Sequence, residues 1–447
     1  MGTVRRVRSV DTIISARWIV PVVPGGTVLT DYSLVVDEGE IIALLPSQSA
    51  SAQFAAENYV DLNEHVLIPG LVNAHTHAAM TLLRGFADDL PLVTWLNDHI
   101  WPTEGEWVDE SFVWDGTTLA VAEMLRAGVT CFNDMYFFPE VAAQVAQESG
   151  IRMVVGLICI DGENNYSTSA ADCIAKGLIL NERLTDSRLV TTAFAPHAPY
   201  SVSDEPLLTI AALSKRMSLP VHTHLNETSA ESPDSVGRYG LTPMRRLAGL
   251  GLVNERLIAA HMVHLSDDDV DLTARAGSHV VHCPESNLKL GNGFCDVDLL
   301  LRNGINIGLG TDGPASNNDL DVLAELRVAA LVAKGVSRDA AALPAWQALH
   351  LATLGGAKAL GLDLRIGSLE VGKRADLTAI RLDDLANRPI YDPISQVVYT
   401  ATRQQVSDVW VDGLAKVVAG ELIGFDQVGI HRSAQSWADK ISGGGPA

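Results

Sequence analysis

Eight short apolar runs, each ending in polar residues, constrain this chain more than any other feature. They close in Leu71-Val-Asn-Ala-His-Thr-His77, Val129–Asp134, Met153–Asp161, Val190–His197, Val221–Glu227, Leu257–His261, His279–Glu285 and Ile305–Asp312. Near-continuous apolar runs are what parallel strands covered on both faces look like. Helical patterns intervene, for example over Asp115–Ala127 and Glu205–Met217. Eight β/α units over roughly 300 residues predict an α/β fold, a (β/α)8 TIM-type barrel with insertions. The polar run ends then gather on the barrel's catalytic face. An open Rossmann sheet is the alternative, but no G-x-G-x-x-G follows the first run.

The two chain ends read differently. Asp11–Val20 and Tyr32–Val36 are β-rich, and Asp37-Glu-Gly-Glu40 reads as a hairpin turn before Ile41–Leu44. Asp376–Leu382 and Val409–Gly413 repeat the strand–turn character near the other end. The expected layout is a barrel over residues 66–367. A small β-sandwich domain is then built from residues 1–65 and 368–447, the latter ending in the flexible-looking Gly443–Ala447.

The chain has 447 residues, 47% of them hydrophobic, which suits a large core and not a disordered chain. No apolar stretch reaches the roughly 20 residues that span a bilayer. Met1–Ser9 is basic but leads into alternating residues, so no signal peptide is expected. The net charge of −22 repels phosphate backbones and argues against a nucleic-acid partner. Cys131, Cys159, Cys173, Cys283 and Cys295 are scattered with no C-x-x-C, which reads as reduced thiols in a cytoplasm.

The run ends carry a constellation. The first offers His75 and His77, which a period of two points the same way. The fifth offers His222, His224 and Glu227, the sixth His261, the eighth Asp312. Three imidazoles and a carboxylate make a zinc set with one position left for water, though iron(II) or manganese(II) also suit it. Such an ion lowers the pKa of its water to about 7. The spacing His224-x-x-Glu227 favours His224 over His222 as a ligand.

These residues make the chain recognisable. Pro69–His77, His224-x-x-Glu227, His261, Thr311-Asp312 and Gly367–Asp376 resemble the amidohydrolase superfamily over nearly the whole length. Met80–Gly85, Ala195–Tyr200, Ser286–Gly293 and Thr311–Asn318, which includes Ser316, look like the methylthioadenosine/S-adenosylhomocysteine deaminases. The resemblance implies His75, His77, His224 and Asp312 as ligands of one metal ion per subunit. It implies Glu227 and His261 as the proton-handling pair, and a homodimer or homotetramer. The chemistry it implies is hydrolytic deamination of methylthioadenosine, S-adenosylhomocysteine or adenosine to the inosine analogue. Glu227 would protonate the ring, Asp312 would carry the water proton to the amine, and His261 would hold the hydroxide in line.

Glu104 resembles a ribose-binding glutamate, and His197 a nucleoside contact; Ser316 joins them as a substrate-binding candidate. Asp134 and Arg84 read as braces as readily as substrate contacts. His222 and His282 read as supports behind the site, His264 as a loop residue, and His99, His279 and His350 as structural. The fourth run ends without a lysine for a bridging carbamate, which argues against a second metal ion. The H-x-E…P-C-x-x-C signature of another deaminase class is absent. The loop Asp161–Ser169 lacks the arginine that this branch often places there for the substrate's tail. Rival readings are a guanine deaminase, a triazine deaminase or chlorohydrolase, and a metal-free interaction protein.

Overall fold

The chain opens with four strands, β1 (Arg8–Ile19), β2 (Leu29–Asp37), β3 (Glu40–Pro46) and β4 (Phe54–Pro69). The computed structural model describes residues 7–443. Residues 1–6, read above for a signal peptide, and 444–447 of the glycine-rich tail lie outside that range. The turn between β2 and β3 is the expected hairpin, with Gly39 in the left-handed region at φ 74°. β1 and β4 are longer than the short strands expected, at 12 and 16 residues, and pair in parallel. β4 before Leu62 is exposed or half-buried and mixes apolar with polar residues, so no continuous apolar run announces it.

Eight further strands follow. They are β5 (Leu71–Thr76), β6 (Val129–Asp134), β7 (Arg152–Cys159), β8 (Val190–Pro196), β9 (Val221–Leu225), β10 (Leu257–His261), β11 (His279–His282) and β12 (Asn306–Leu309). Neighbours pair in chain order, all in parallel. A bridge between Thr76 and Asp312 joins the last strand region to the first and closes the ring. The (β/α)8 barrel is therefore borne out, and its strands are the eight apolar runs. Two helices differ in their starts. Asp109 caps a helix running Glu110–Arg126, five residues earlier than read, because its side chain accepts from Phe112 N. The other spans Asp204–Met217.

The chain then returns with β13 (Leu377–Arg381), β14 (Val406–Val411), β15 (Leu414–Val418) and β16 (Glu421–Leu422). Strands from both ends form one continuous sheet in the order β16-β15-β14-β13-β4-β1-β2-β3. Ile14, Leu34, Leu67, Leu377 and Trp410 share a core of its own. Val10, Ile13 and Val35 pack with Ala50 of the helix Ser47–Gln53.

Several contacts tie this sheet region to the barrel, two of them through large buried side chains. Arg152 at the start of β7 is fully buried and grips Asp376 with two hydrogen bonds of 2.8 and 2.9 Å. The last helix, Gln427–Ile441, lays Trp437 edge-on against Phe112 and donates its indole N–H to Asp115. Among the described residues, no helix is long and apolar enough to cross a membrane.

Candidate metal centre and substrate pocket

β5, β9 and β10 are wholly buried, so the alternation that fills the barrel also carries their histidines to its C-terminal mouth. There the rings of His77 and His224 each lie 4.9 Å from the ring of His75, and that of His261 lies at 5.5 Å. Ligand atoms of His75, His224, His261 and Asp312 lie within 4.8 Å of one another. His77 belongs to the same cluster, its Nε2 being 3.2 Å from both Asp312 Oδ1 and His224 Nε2.

Each imidazole is held from behind through Nδ1. His77 Nδ1 contacts Met135 O at 2.6 Å, and His224 Nδ1 contacts His197 O at 2.6 Å. His261 Nδ1 meets Asn287 Oδ1 at 2.9 Å. His75 Nδ1 meets His222 Nε2 at 2.8 Å, and His222 Nδ1 in turn faces Asn133. For His77, His224 and His261 an oxygen acceptor behind Nδ1 fixes both tautomer and ring direction, as metal-ligating histidines require, while His222 holds the ring of His75 in place. His222 therefore stands behind His75, as its position in sequence suggested.

Asp312 is prepared in the same way. Ser286 and Ser316 donate to its Oδ2 at 2.7 and 2.8 Å, which leaves Oδ1 to face His75 and His77 at 3.2 Å. His75 Nε2 is buried and has no hydrogen-bond partner. An orphaned nitrogen aimed at a carboxylate and two more imidazoles fits a divalent cation.

The electrostatics agree. Burial tends to raise the pKa of Asp312, but His75 and His77 outweigh it and hold the carboxylate well below its usual range. Burial lowers His75 to about 4. His77 is driven the other way, to about 9, because Asp312 and the Met135 carbonyl overcome its burial.

Beside the cluster, burial raises the pKa of Glu227, although His261 opposes the rise. Glu227 Oε1 accepts from Asn292 at 2.9 Å, and its Oε2 lies 3.8 Å from His261 Nε2. Glu231 Oε1 accepts from Glu227 N and Thr228 N, both at 2.9 Å, and fixes the turn. Backbone strain gathers here. Asn226, His261, Met262 and Asp312 all have φ between 49° and 74°, a region costly for side-chain-bearing residues and frequent at functional sites.

A pocket of ≈ 720 Å³ opens over the cluster. Trp95, Ile100, Phe137, Ile158 and Leu290 supply apolar walls, and Glu104, His197, Glu227 and Ser316 supply polar groups. Glu104 is buried, accepts from the Tyr136 hydroxyl at 2.7 Å, and has its pKa raised to about 7 by burial. His197 Nδ1 meets Ser201 at 2.8 Å, and burial lowers its pKa to about 3, so it is a neutral ring.

The amidohydrolase family model matches residues 66–416. This chain belongs to the amidohydrolase family. A 5-methylthioadenosine/S-adenosylhomocysteine deaminase of Saccharophagus degradans is 47% identical over 431 residues, 96% of this chain and 97% of the relative. An adenosine deaminase of Xanthomonas campestris, solved with bound zinc, superposes with a TM-score of 0.97 at 48% identity. That match covers 98% of this chain and 100% of the other. An atrazine chlorohydrolase of Arthrobacter aurescens, solved with zinc, shares the fold at a TM-score of 0.87 but only 22% identity, over 95% and 99% of the two chains.

In this amidohydrolase the other sequence candidates fall into supporting places. Asp134 Oδ1 accepts from Thr76 and from Ala78 N, at 2.9 and 2.7 Å, and so braces the loop that carries His77. Arg84 pairs with Glu123 and donates to Asn318 O. His264 meets Asn292 O at 2.7 Å and steadies the residue that holds Glu227. His282 is buried with neither ring nitrogen paired, and nothing in the structure explains it.

Sequence reasoning placed Ser286, Asn287 and Asn292 in a motif, Ser286–Gly293, but gave none of them a role, and it missed Tyr136 beneath Glu104. It also missed Asn165. The loop after β7 lacks an arginine, but Asn165 Nδ2 there contacts the carbonyls of Glu104, Gly105 and Val108 and pins the helix that carries Glu104.

Proposed function

We propose that this amidohydrolase deaminates adenosine-type nucleosides by metal-dependent hydrolysis, releasing the inosine analogue and ammonia. The observation that carries the reading is Glu227. It is a buried carboxyl with a raised proton affinity beside His261 and Asp312, at the floor of a pocket walled by a second buried carboxyl, Glu104. An amine must gain a proton to depart as ammonia, whereas a halide leaves as the anion, so a site built to deliver protons suits deamination.

His75, His77, His224 and Asp312 are the residues we assign to one divalent ion, and zinc is our choice for it. When bound, such an ion supplies the Lewis acidity that makes water nucleophilic near neutral pH. The chain's own groups then divide the proton work. Glu227 gives its proton to N1 as water adds at C6. Asp312 takes one proton from the water and passes it to the departing amine, which leaves as ammonia. The proton left on the new oxygen restores the Glu227 acid. His261, held by Asn287, orients the attacking oxygen. Glu104 in its charged form accepts from the 2′ and 3′ hydroxyls, and neutral His197 offers Nε2 to the sugar side. Ser316 acts through Asp312 as well as lining the pocket.

The relatives' names support methylthioadenosine and S-adenosylhomocysteine as the preferred substrates. A cytoplasmic setting, in keeping with five free buried cysteines, and a homo-oligomeric state complete the reading. The test is loss of adenine absorbance with ammonia release by zinc-loaded protein. Methylthioadenosine, S-adenosylhomocysteine, adenosine, guanine and a melamine-type triazine are compared side by side. Preference for the thionucleosides is expected. Turnover of the bare rings alone would overturn the nucleoside reading.

A further inference from the structure

A second cavity of ≈ 960 Å³ adjoins the substrate pocket, and the two share Leu92, Leu96, Trp101 and Tyr200 as a common wall. Trp101 and Tyr200 are 40% and 38% exposed, so the shared wall is open to solvent on its outer side. The far side of this outer cavity is the helix Glu231–Tyr239. Glu231, Asp234 and Arg238 are three and then four residues apart, so they share one face of it, and all three line the cavity.

Their bonding is incomplete. Glu231 is 8% exposed; its Oε1 is occupied by two backbone N–H groups, while its Oε2 is buried without a partner. The Arg238 guanidinium stacks over Tyr239 at 5.4 Å and has no ion-pair partner among the described residues. An unpaired carboxylate oxygen and a free guanidinium on one helix face, beside a nucleoside pocket, match a zwitterion. A guanidinium fork recognises a carboxylate, and carboxylates recognise an ammonium.

Resting on the deaminase reading above, we infer that the outer cavity is the subsite for an α-amino-acid tail carried on the 5′ sulfur of the nucleoside. Arg238 binds the tail carboxylate, and Asp234 with Glu231 Oε2 binds its ammonium. Discrimination between S-adenosylhomocysteine and methylthioadenosine then lies on this helix, in the same chain as the metal centre, and not in the loop after β7.

The experiment is kcat/KM for both nucleosides with wild type, Arg238→Ala, Arg238→Lys and Asp234→Asn. Arg238→Ala should lower the ratio of S-adenosylhomocysteine to methylthioadenosine turnover about tenfold, as one lost charged contact implies. The loss should appear in KM, and Arg238→Lys should restore part of it. Asp234→Asn should lower the ratio in the same direction. Methylthioadenosine turnover in each variant reports that the protein is folded. An unchanged ratio in both Arg238→Ala and Asp234→Asn, with methylthioadenosine still consumed, overturns the subsite and leaves the deaminase reading standing. Failure of the wild type to deaminate either nucleoside overturns the deaminase reading, and the subsite with it.

Discussion

His224 and Glu227 lie three residues apart, yet their removal should have opposite signatures. His224→Ala is expected to lose bound metal and activity together, read by metal analysis of the purified protein. Glu227→Gln should keep the metal and lower kcat by about 100- to 10,000-fold, the usual worth of a positioned acid. Full activity in that variant would remove Glu227 as the proton donor. Glu104 makes a pH prediction. Burial lifts its pKa from 4.5 to about 7, and only the charged form accepts both sugar hydroxyls. Nucleoside kcat/KM should therefore rise as pH climbs through about 7 and fall below it, and Glu104→Gln should lose that limb. The proposed ligands and Glu227 were legible because their signal is residue type at the end of an apolar run. The roles of Ser286, Asn287 and Asn292 were not, although the motif Ser286–Gly293 stood out. These residues act through geometry created when the segment after β11 folds back over the barrel mouth, and serine and asparagine in a loop usually signal only a turn.

The strands of the barrel could be read from sequence because burial on both faces leaves a continuous apolar record. β4 could not, since its outer half meets solvent and keeps only a weak pattern. Nor could the π-helical turn Trp95–Ile100 in the segment over the pocket, a rare geometry that functional sites favour. At this scale the closure of β12 onto β5 is the sensitive joint. A Cβ on Gly310 would lie 2.7 Å from His75 Cβ and 2.9 Å from His75 N. Gly310→Ala should displace His75 and weaken zinc retention, measured by competition with a chelator, while far-ultraviolet circular dichroism stays near that of the wild type. Unchanged zinc affinity would show that β5 can shift without moving its ligand.

The molecule as a whole is secured at the barrel's lower end, away from the chemistry. Arg152→Ala leaves Asp376 charged and buried, which should cost about 3–5 kcal/mol in chemical denaturation. Methylthioadenosine KM should change little, since neither residue touches the pocket. That both chain ends form one small β region was visible in composition, but the partnering of β4 between β1 and β13 was not, because strand order leaves no periodic trace. This partnering also bears on synthesis. Pro69 of β4 pairs with Leu377, more than 300 residues later. At about 5–20 residues per second, a ribosome takes roughly 15 to 60 seconds to deliver that partner. Throughout that interval the nascent chain carries an unsatisfied β edge next to a half-built barrel. Until β13 arrives, the open edge of β4 is free to pair wrongly, so the order of synthesis itself sets a window for misfolding.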